Sequence, residues 1–386
     1  MVGIVVKDTT CCLPWNHLAT HPNGNVTLCC QTEMANGIGF SKDKSNNLLN
    51  MDTTSVPDIL NSHSFNLVRE EMLLGKEPKA CSRCYQAERN GEWNKRQHEN
   101  LKFNWKSPNR INVVTDDLEF LELRLGNVCN LACATCNSFS SSKWKQDEVK
   151  LSKKLPWFTA YDSAQASWFE SVEFYAKLAE QSKNVKVIYI NGGEPFLIKA
   201  HKRLLDDLIT QGVAGEIELE YSTNVTILPE EFLSVWAHFK KVTIMLSVDD
   251  IGQRNDWLRW PSKWADVEKN ILWYRDNKLD NMIIMVCQTI SAMNIFNLHE
   301  LYDFCKKHQI HHTSNFVFSP VWFSGAVIEP RLKDQLRKEL SDLNLQQFES
   351  WISSPFDPVL LAKLKELCIN LDDIRQISSK NIFKIL

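Results

Sequence analysis

The sequence predicts an α/β fold organised on a parallel sheet. Six short apolar segments (residues 120–125, 185–190, 216–221, 242–248, 282–289 and 312–318) recur with helical patterns between them. Strand–helix units in series join parallel strands through right-handed crossovers, giving a sheet that is either doubly wound or curved into a barrel. Periodicity does not separate those two. At 386 residues, with 44% hydrophobic and 24% charged, the chain has the composition of an ordinary globular protein and a length at which one core usually splits.

The first segment, Phe120-Leu121-Glu122-Leu123-Arg124-Leu125, alternates apolar and charged residues, as a strand with two different faces does. Helical stripes follow in order. Trp168, Val172, Tyr175 and Ala179 stand behind Ser167-x-x-Glu170, which reads as a capping box. Leu204, Leu205, Leu208 and Ile209 precede Gly212, a helix end. Phe232, Trp236 and Phe239 follow Pro229, which suits a first turn. Trp264, Val267, Ile271 and Tyr274 form a stripe, as do Leu298, Leu301 and Cys305. Beyond residue 325 the pattern is helical only, with Leu332, Leu336 and Leu340 on one face and Leu360, Leu361, Leu364 and Leu367 on another. No chemistry is legible there, and a covering role is expected.

The first hundred residues read differently. Cys11-Cys12 leads to Pro22-Asn23-Gly24, the Asn-Gly dipeptide of a tight hairpin, and residues 26–30 return as a strand carrying Cys29-Cys30. A helix over 65–74 ends at Gly75, Cys81-x-x-Cys84 follows, and 91–108 reads as polar linker. The expected division is 1–108, 109–325 and 326–386.

Lys+Arg 44 against Asp+Glu 47 leaves a formal charge of −3, which gives no global attraction to nucleic acid or anionic membrane. The basic run from Lys143 to Lys154 is interrupted by Asp147 and Glu148 and reads as a solvated helix face. The opening Met1–Lys7 has no basic n-region, and no stretch approaches a membrane span, so a cytoplasmic protein is expected. Thiols stay reduced there, and nine of the twelve cysteines fall in the first 136 residues, so metal ligation is favoured over disulfides.

Cys129, Cys133 and Cys136 have the spacing C-x3-C-x2-C just past the end of the first core strand, where barrel and open α/β folds place active sites. Three thiols without a local fourth suit a cubane cluster with one free iron better than a zinc site. Gly192-Gly193-Glu194-Pro195 ends the second strand. The glycines let backbone approach a ligand, and the glutamate can accept from an ammonium group.

In this motif order, over roughly residues 118–320, the chain resembles the radical S-adenosylmethionine (SAM) superfamily. The resemblance implies a partial (β/α)6 TIM-like barrel, with Cys129, Cys133 and Cys136 binding a 4Fe-4S cluster and SAM chelating the fourth iron. It also implies SAM contacts from Gly192, Gly193, Glu194 and Pro195, from Ser222 and Asn224 at the third strand end, from Ser247 and Asp249 at the fourth, and from Arg259. Thr135 departs from the family's usual aromatic residue, which alters a contact near the adenine and no ligand.

Cys11, Gly24, Cys29 and Cys81-x-x-Cys84 are similar to the twitch/SPASM auxiliary-cluster domains, the shorter twitch form fitting better. The resemblance implies that Cys11, Cys29, Cys81 and Cys84 ligate a second 4Fe-4S cluster, with Cys12 and Cys30 as bystanders. A four-cysteine zinc ribbon has compatible spacing. Such domains normally follow the barrel, and here the segment precedes it.

Elsewhere the bland assignments win. Cys287 lies in the fifth strand and reads as a buried structural thiol, with return of a hydrogen atom to a substrate radical as the sharper alternative. Cys305 and Cys368 read as core, and His17 and His21 as turn or surface residues. Glu122 and Arg124 either contact substrate or form ion pairs.

The expected activity is reductive cleavage of SAM to a 5′-deoxyadenosyl radical, which takes a hydrogen atom from a peptide or protein side chain. A flavodoxin- or ferredoxin-like external donor would supply the electron, and an auxiliary cluster would assist. The alternatives are a dehydrogenase or epimerase of a sugar-like small molecule, or a non-catalytic iron–sulfur or zinc protein.

Overall fold

The computed structural model describes residues 8–33, 37–108, 110–161, 166–343, 345 and 347–386. The opening residues 1–7 lie outside that set.

Eight strands form one sheet: β1 (His17–Thr20), β2 (Val26–Thr27), β3 (Phe120–Leu125), β4 (Val187–Gly192), β5 (Glu218–Thr223), β6 (Lys241–Ser247), β7 (Met282–Ile290) and β8 (His311–Phe316). Their order is β2-β1-β3-β4-β5-β6-β7-β8. From β3 to β8 every pair is parallel and every strand lies beside its sequence neighbour. A doubly wound sheet reverses its strand order part-way, and this one does not. Crossovers of one hand then put the helices on one face and curve the sheet around the other. The result is the expected six-unit barrel type, open between the edges β2 and β8.

Burial alternates as that arrangement requires. On β6, Val242, Ile244 and Leu246 are buried, while Lys241, Thr243, Met245 and Ser247 are half-exposed toward the interior. Register carries this across the sheet: Ser222 lies opposite Met245, Met245 opposite Met285, and Met285 opposite His311. One layer on, Ser247 lies opposite Cys287 and Cys287 opposite Thr313.

The N-terminal segment joins this sheet. β1 and β2 make the expected hairpin, and β1 runs parallel to β3, pairing His17 with Phe120 and Ala19 with Glu122. One hydrophobic core accordingly runs from Cys11, Leu13 and Trp15 through the barrel strands. A second core joins the C-terminal helices to the cysteine loop, with Ala132, Ala134 and Trp144 packed among Trp351, Leu364, Leu367 and Leu371.

Several local expectations are corrected. The helix at Val172–Glu180 is capped by Ser171, whose hydroxyl accepts from Phe174 N at 3.1 Å; Trp168–Glu170 is a separate 3-10 turn. Pro229 precedes the helix Glu230–Trp236 as its N-cap. The supposed linker 91–108 contains the helix Lys95–Lys102, closed by a capping box of Asn94 and Gln97. Its buried residues are Arg96 and Glu99, so it shows no apolar stripe.

Candidate active site

The loop after β3 carries Cys129, Cys133 and Cys136, all partly exposed. Its backbone is held from several sides. Ala132 N donates to Trp260 O and Ala134 N to Leu258 O, each at 2.7 Å. The Trp144 indole donates to Cys133 O at 2.8 Å, and the Ser141 hydroxyl to Leu131 O at 2.5 Å. Eight residues with three thiols would otherwise be a floppy connection. Here the thiols are preorganised.

The turn after β4 clasps the same loop. Glu194 N donates to Val128 O at 2.8 Å and Gly193 N to Gly126 O at 3.2 Å. A Cβ on Gly193 would lie 2.2 Å from Val128 O, and Gly192 has φ +122° with its Cβ position 2.6 Å from Leu125 N. The glycines therefore let two loops approach each other. Pro195 is buried and opens a 3-10 turn.

Glu194 is also used differently from the expectation. It is sealed from solvent, and its carboxylate accepts from the Thr223 hydroxyl at 2.9 Å, Asn224 N at 2.7 Å and Phe196 N at 3.2 Å. Burial pushes its pKa up to about 7 against those donors. It ties the ends of β4 and β5 together and is not presented to a ligand's ammonium group.

Asn224 reaches the thiols themselves. Its Nδ2 lies 3.7 Å from Cys129 Sγ and 2.8 Å from Asn130 Oδ1, while its Oδ1 accepts from Thr226. Ser222 shares a hydrogen bond of 2.8 Å with Tyr189 on the interior face, and Ser247 stands half-exposed on β6. Asp249 is buried and accepts from Arg259 Nη1 at 3.0 Å and from Thr289 N at 3.1 Å. Burial disfavours the Arg259 charge, and the Asp249 carboxylate beside it holds the guanidinium protonated. A cation thus stands near enough to the three thiols to oppose the effect of burial at Cys133 and Cys136.

Burial pushes Cys133 up to about 11 and Cys136 to about 12, and raises Cys129 as well. Thiols held protonated in this way ionise when a metal displaces the proton. Among the described residues, no three of His, Cys, Asp and Glu converge closely enough to hold a single metal ion. A cubane cluster spreads its ligand sulfurs around several irons, so a wider spacing suits it.

The N-terminal cysteines gather at the opposite end of the sheet, beside the start of β1. Burial raises Cys29, Cys81 and Cys84; Cys11 acts on all three, Cys30 and Cys81 on Cys29, and Cys12 on Cys11, so all six cysteines share one neighbourhood. Cys12 is buried, its amide donating to Asn100 Oδ1 at 2.8 Å. Cys30 turns toward Lys95, Glu122 and Arg124.

That polar floor was only partly legible. His17 is buried, correcting its assignment to a turn or surface: Nδ1 bonds Leu28 O at 3.0 Å and Nε2 lies 3.6 Å from Glu122. His21 is half-buried against Phe40 and Phe139. Lys95 lies 3.7 Å and Arg124 3.6 Å from Glu122. Burial penalises the Glu122 carboxylate, yet His17, Lys95 and Arg124 hold its pKa well below the usual range. Cys287 does face the interior, with Asn315 Nδ2 at 3.5 Å from its sulfur.

The sequence profile of the radical SAM superfamily matches residues 123–307, from within β3 to the last residue of the helix Leu298–Lys307. The chain belongs to the radical SAM superfamily. A second profile, SPASM, described as an iron–sulfur cluster-binding domain, matches residues 11–85 and takes in all six N-terminal cysteines. Radical SAM proteins take a 4Fe-4S cluster and SAM, and SPASM domains take further cluster iron. No curated protein matches the chain. Among solved structures, native anSMEcpe with bound AdoMet is 16% identical with a TM-score of 0.41, covering 65% of each chain. This radical SAM chain therefore spans just under two thirds of the length of anSMEcpe. SuiB of Streptococcus suis bound to precursor peptide SuiA is 15% identical with a TM-score of 0.38, over 83% of this chain and 71% of that one. Among the described residues, no helix is long and apolar enough to cross a membrane.

Proposed function

We propose that this protein is a peptide- or protein-modifying radical SAM enzyme whose SAM-binding cluster is held by Cys129, Cys133 and Cys136. The observation that carries the reading is the loop itself. Three thiols lie on one loop locked to Gly192–Glu194 and to the Leu258–Trp260 segment, with Asn224 Nδ2 3.7 Å from Cys129 Sγ. That donor set fits a 4Fe-4S cluster with an open iron. Bound there, the cluster and SAM would supply a 5′-deoxyadenosyl radical, and an external flavodoxin- or ferredoxin-like donor would supply the electron.

The chain's own residues then have definable roles. Arg259 balances thiolate charge while Asp249 fixes its orientation. Gly192, Gly193 and Pro195 shape the turn, whose backbone is the part left to meet the amino group of SAM. Ser222 and Ser247 offer hydroxyls on the interior face. Cys11, Cys29, Cys81 and Cys84 would hold an auxiliary cluster, so residues 1–108 form the auxiliary unit, 109–325 the core and 326–386 the cover.

The preference for a polymeric substrate rests on the N-terminal cluster domain and on the open barrel. Interior-facing His311, Thr313 and Asn315 of β8 are exposed, so the cavity is accessible from its side. A second reading, an epimerase or dehydrogenase of a sugar-like molecule, is favoured by the inward Cys287, a thiol placed where it could return a hydrogen atom.

Anaerobic reconstitution with iron and sulfide, followed by dithionite and SAM, tests the activity. The expected product is 5′-deoxyadenosine. A cluster-loaded preparation that forms none would overturn the enzyme reading. Mass changes in candidate peptides, set beside those in polyols, decide the substrate class.

A further inference from the structure

The C-terminal helix Pro358–Arg375 ends on an arginine that carries more than packing requires. The Arg375 side chain is 0% exposed, and its Nε donates to Asp147 Oδ2 at 2.9 Å. Its guanidinium lies 4.7 Å from the ring centroid of Trp144 and 5.0 Å from that of Trp260. Nη1 and Nη2 are buried and have no hydrogen-bond partner among the described residues.

Another buried arginine shows what structural satisfaction looks like in this molecule. Arg69, equally sealed, donates to Pro14 O, Asn66 Oδ1, Ile111 O and Leu60 O. Two orphaned donors on a desolvated cation are costly unless something else compensates them.

The surroundings identify the compensating charge. Both tryptophans that flank Arg375 are bonded to the cysteine loop: the Trp144 indole donates to Cys133 O, and the Trp260 backbone carbonyl accepts from Ala132 N. Arg259 spends part of its charge on Asp249, whereas Arg375 has a single carboxylate contact and two idle donors.

We propose that Arg375 is a positioning residue for the SAM-binding cluster: its unpaired guanidinium nitrogens balance the negative charge that Cys133 carries once iron is bound, and so hold the cluster's reduction potential up. The inference rests on the reading of Cys129, Cys133 and Cys136 as cluster ligands. It gives the C-terminal extension a part in the chemistry that its leucine stripes do not suggest. A buried cation next to a thiolate acts at low effective dielectric, where salt does not screen it. Adding one electron to a cluster makes its charge more negative, so a fixed cation favours the reduced state.

The test is an EPR-monitored redox titration of the full chain, anaerobically reconstituted, following the signal that changes on SAM addition. In Arg375→Met the ratio of reduced to oxidised cluster at the wild-type midpoint should fall roughly tenfold, which is about 59 mV for a one-electron couple. Arg375→Lys should recover most of that shift. Asp147→Asn should move the midpoint the other way, because it leaves the Arg375 charge less neutralised. A cluster-loaded Arg375→Met with the wild-type midpoint overturns the proposal. Should Arg375→Met load no cluster, an unchanged midpoint in Asp147→Asn overturns it equally. A wild-type protein that loads iron but shows no SAM-responsive signal instead overturns the ligand reading beneath it, a distinguishable failure.

Discussion

The two cysteine sites are built in opposite ways. The triad at Cys129, Cys133 and Cys136 comes from one loop, which backbone bonds to Trp260, Leu258, Gly193 and Glu194 hold in shape. The quartet at Cys11, Cys29, Cys81 and Cys84 is drawn from three separate places, and only the fold brings it together. A contiguous loop can keep its form when its metal is gone, whereas a dispersed set loses one of its crosslinks. Iron should therefore be a chemical necessity at the first site and a structural one at the second.

The largest effect expected from that contrast is at the triad. Cys133→Ala should abolish 5′-deoxyadenosine formation and remove about half the iron, with little loss of thermal stability. Calorimetry beside iron analysis checks this, and a collapse in stability equal to that of a quartet mutant would erase the distinction. The double change Cys81→Ala/Cys84→Ala should also remove about half the iron and broaden the unfolding transition, because metal binding at a dispersed site is coupled to folding. SAM cleavage should survive it at a measurable rate.

Gly193→Ala is a smaller perturbation of the clasp. Its Cβ meets the Val128 carbonyl, so the loops must separate, at a cost of about 1–3 kcal/mol. Chemical denaturation measures that cost, and a neutral effect would show that the turn does not hold the triad. The smallest effect concerns pH. Cys133 and Cys136 stay protonated at neutral pH, their pKa values lifted by burial to about 11 and about 12. Cluster assembly must displace those protons, so incorporation at limiting iron should weaken as pH falls from about 8.5 to about 6.5. Absorbance at each pH follows it; a flat profile would mean that the thiols are already ionised.

The same contrast explains how much was legible. The strand at Phe120–Leu125 and the triad behind it could be read because strand alternation and ligand spacing are local. The other core strands were found within about two residues, since half-buried strands alternate. The pairing of β1 with β3 was not visible: β1 is four residues long and buried on both faces, and its partner lies far along the chain. The helix Lys95–Lys102 was hidden for the opposite reason, because the residues it buries are charged. The family resemblance alone supplied the quartet's membership, since all six N-terminal cysteines lie close together. Arg375 had no sequence signal, since its partners Asp147, Trp144 and Trp260 come from distant elements.

The parallel pairing of β1 with β3 has one more effect. It anchors the quartet at the start of the strands, while the triad sits past their ends. Six residues of β3 separate the two, roughly 20 Å at about 3.3 Å per residue. The sheet thus works as a ruler. An extended polypeptide threaded along the interior would need about six residues to touch both ends, so a single amino acid or a monosaccharide could reach only one of them.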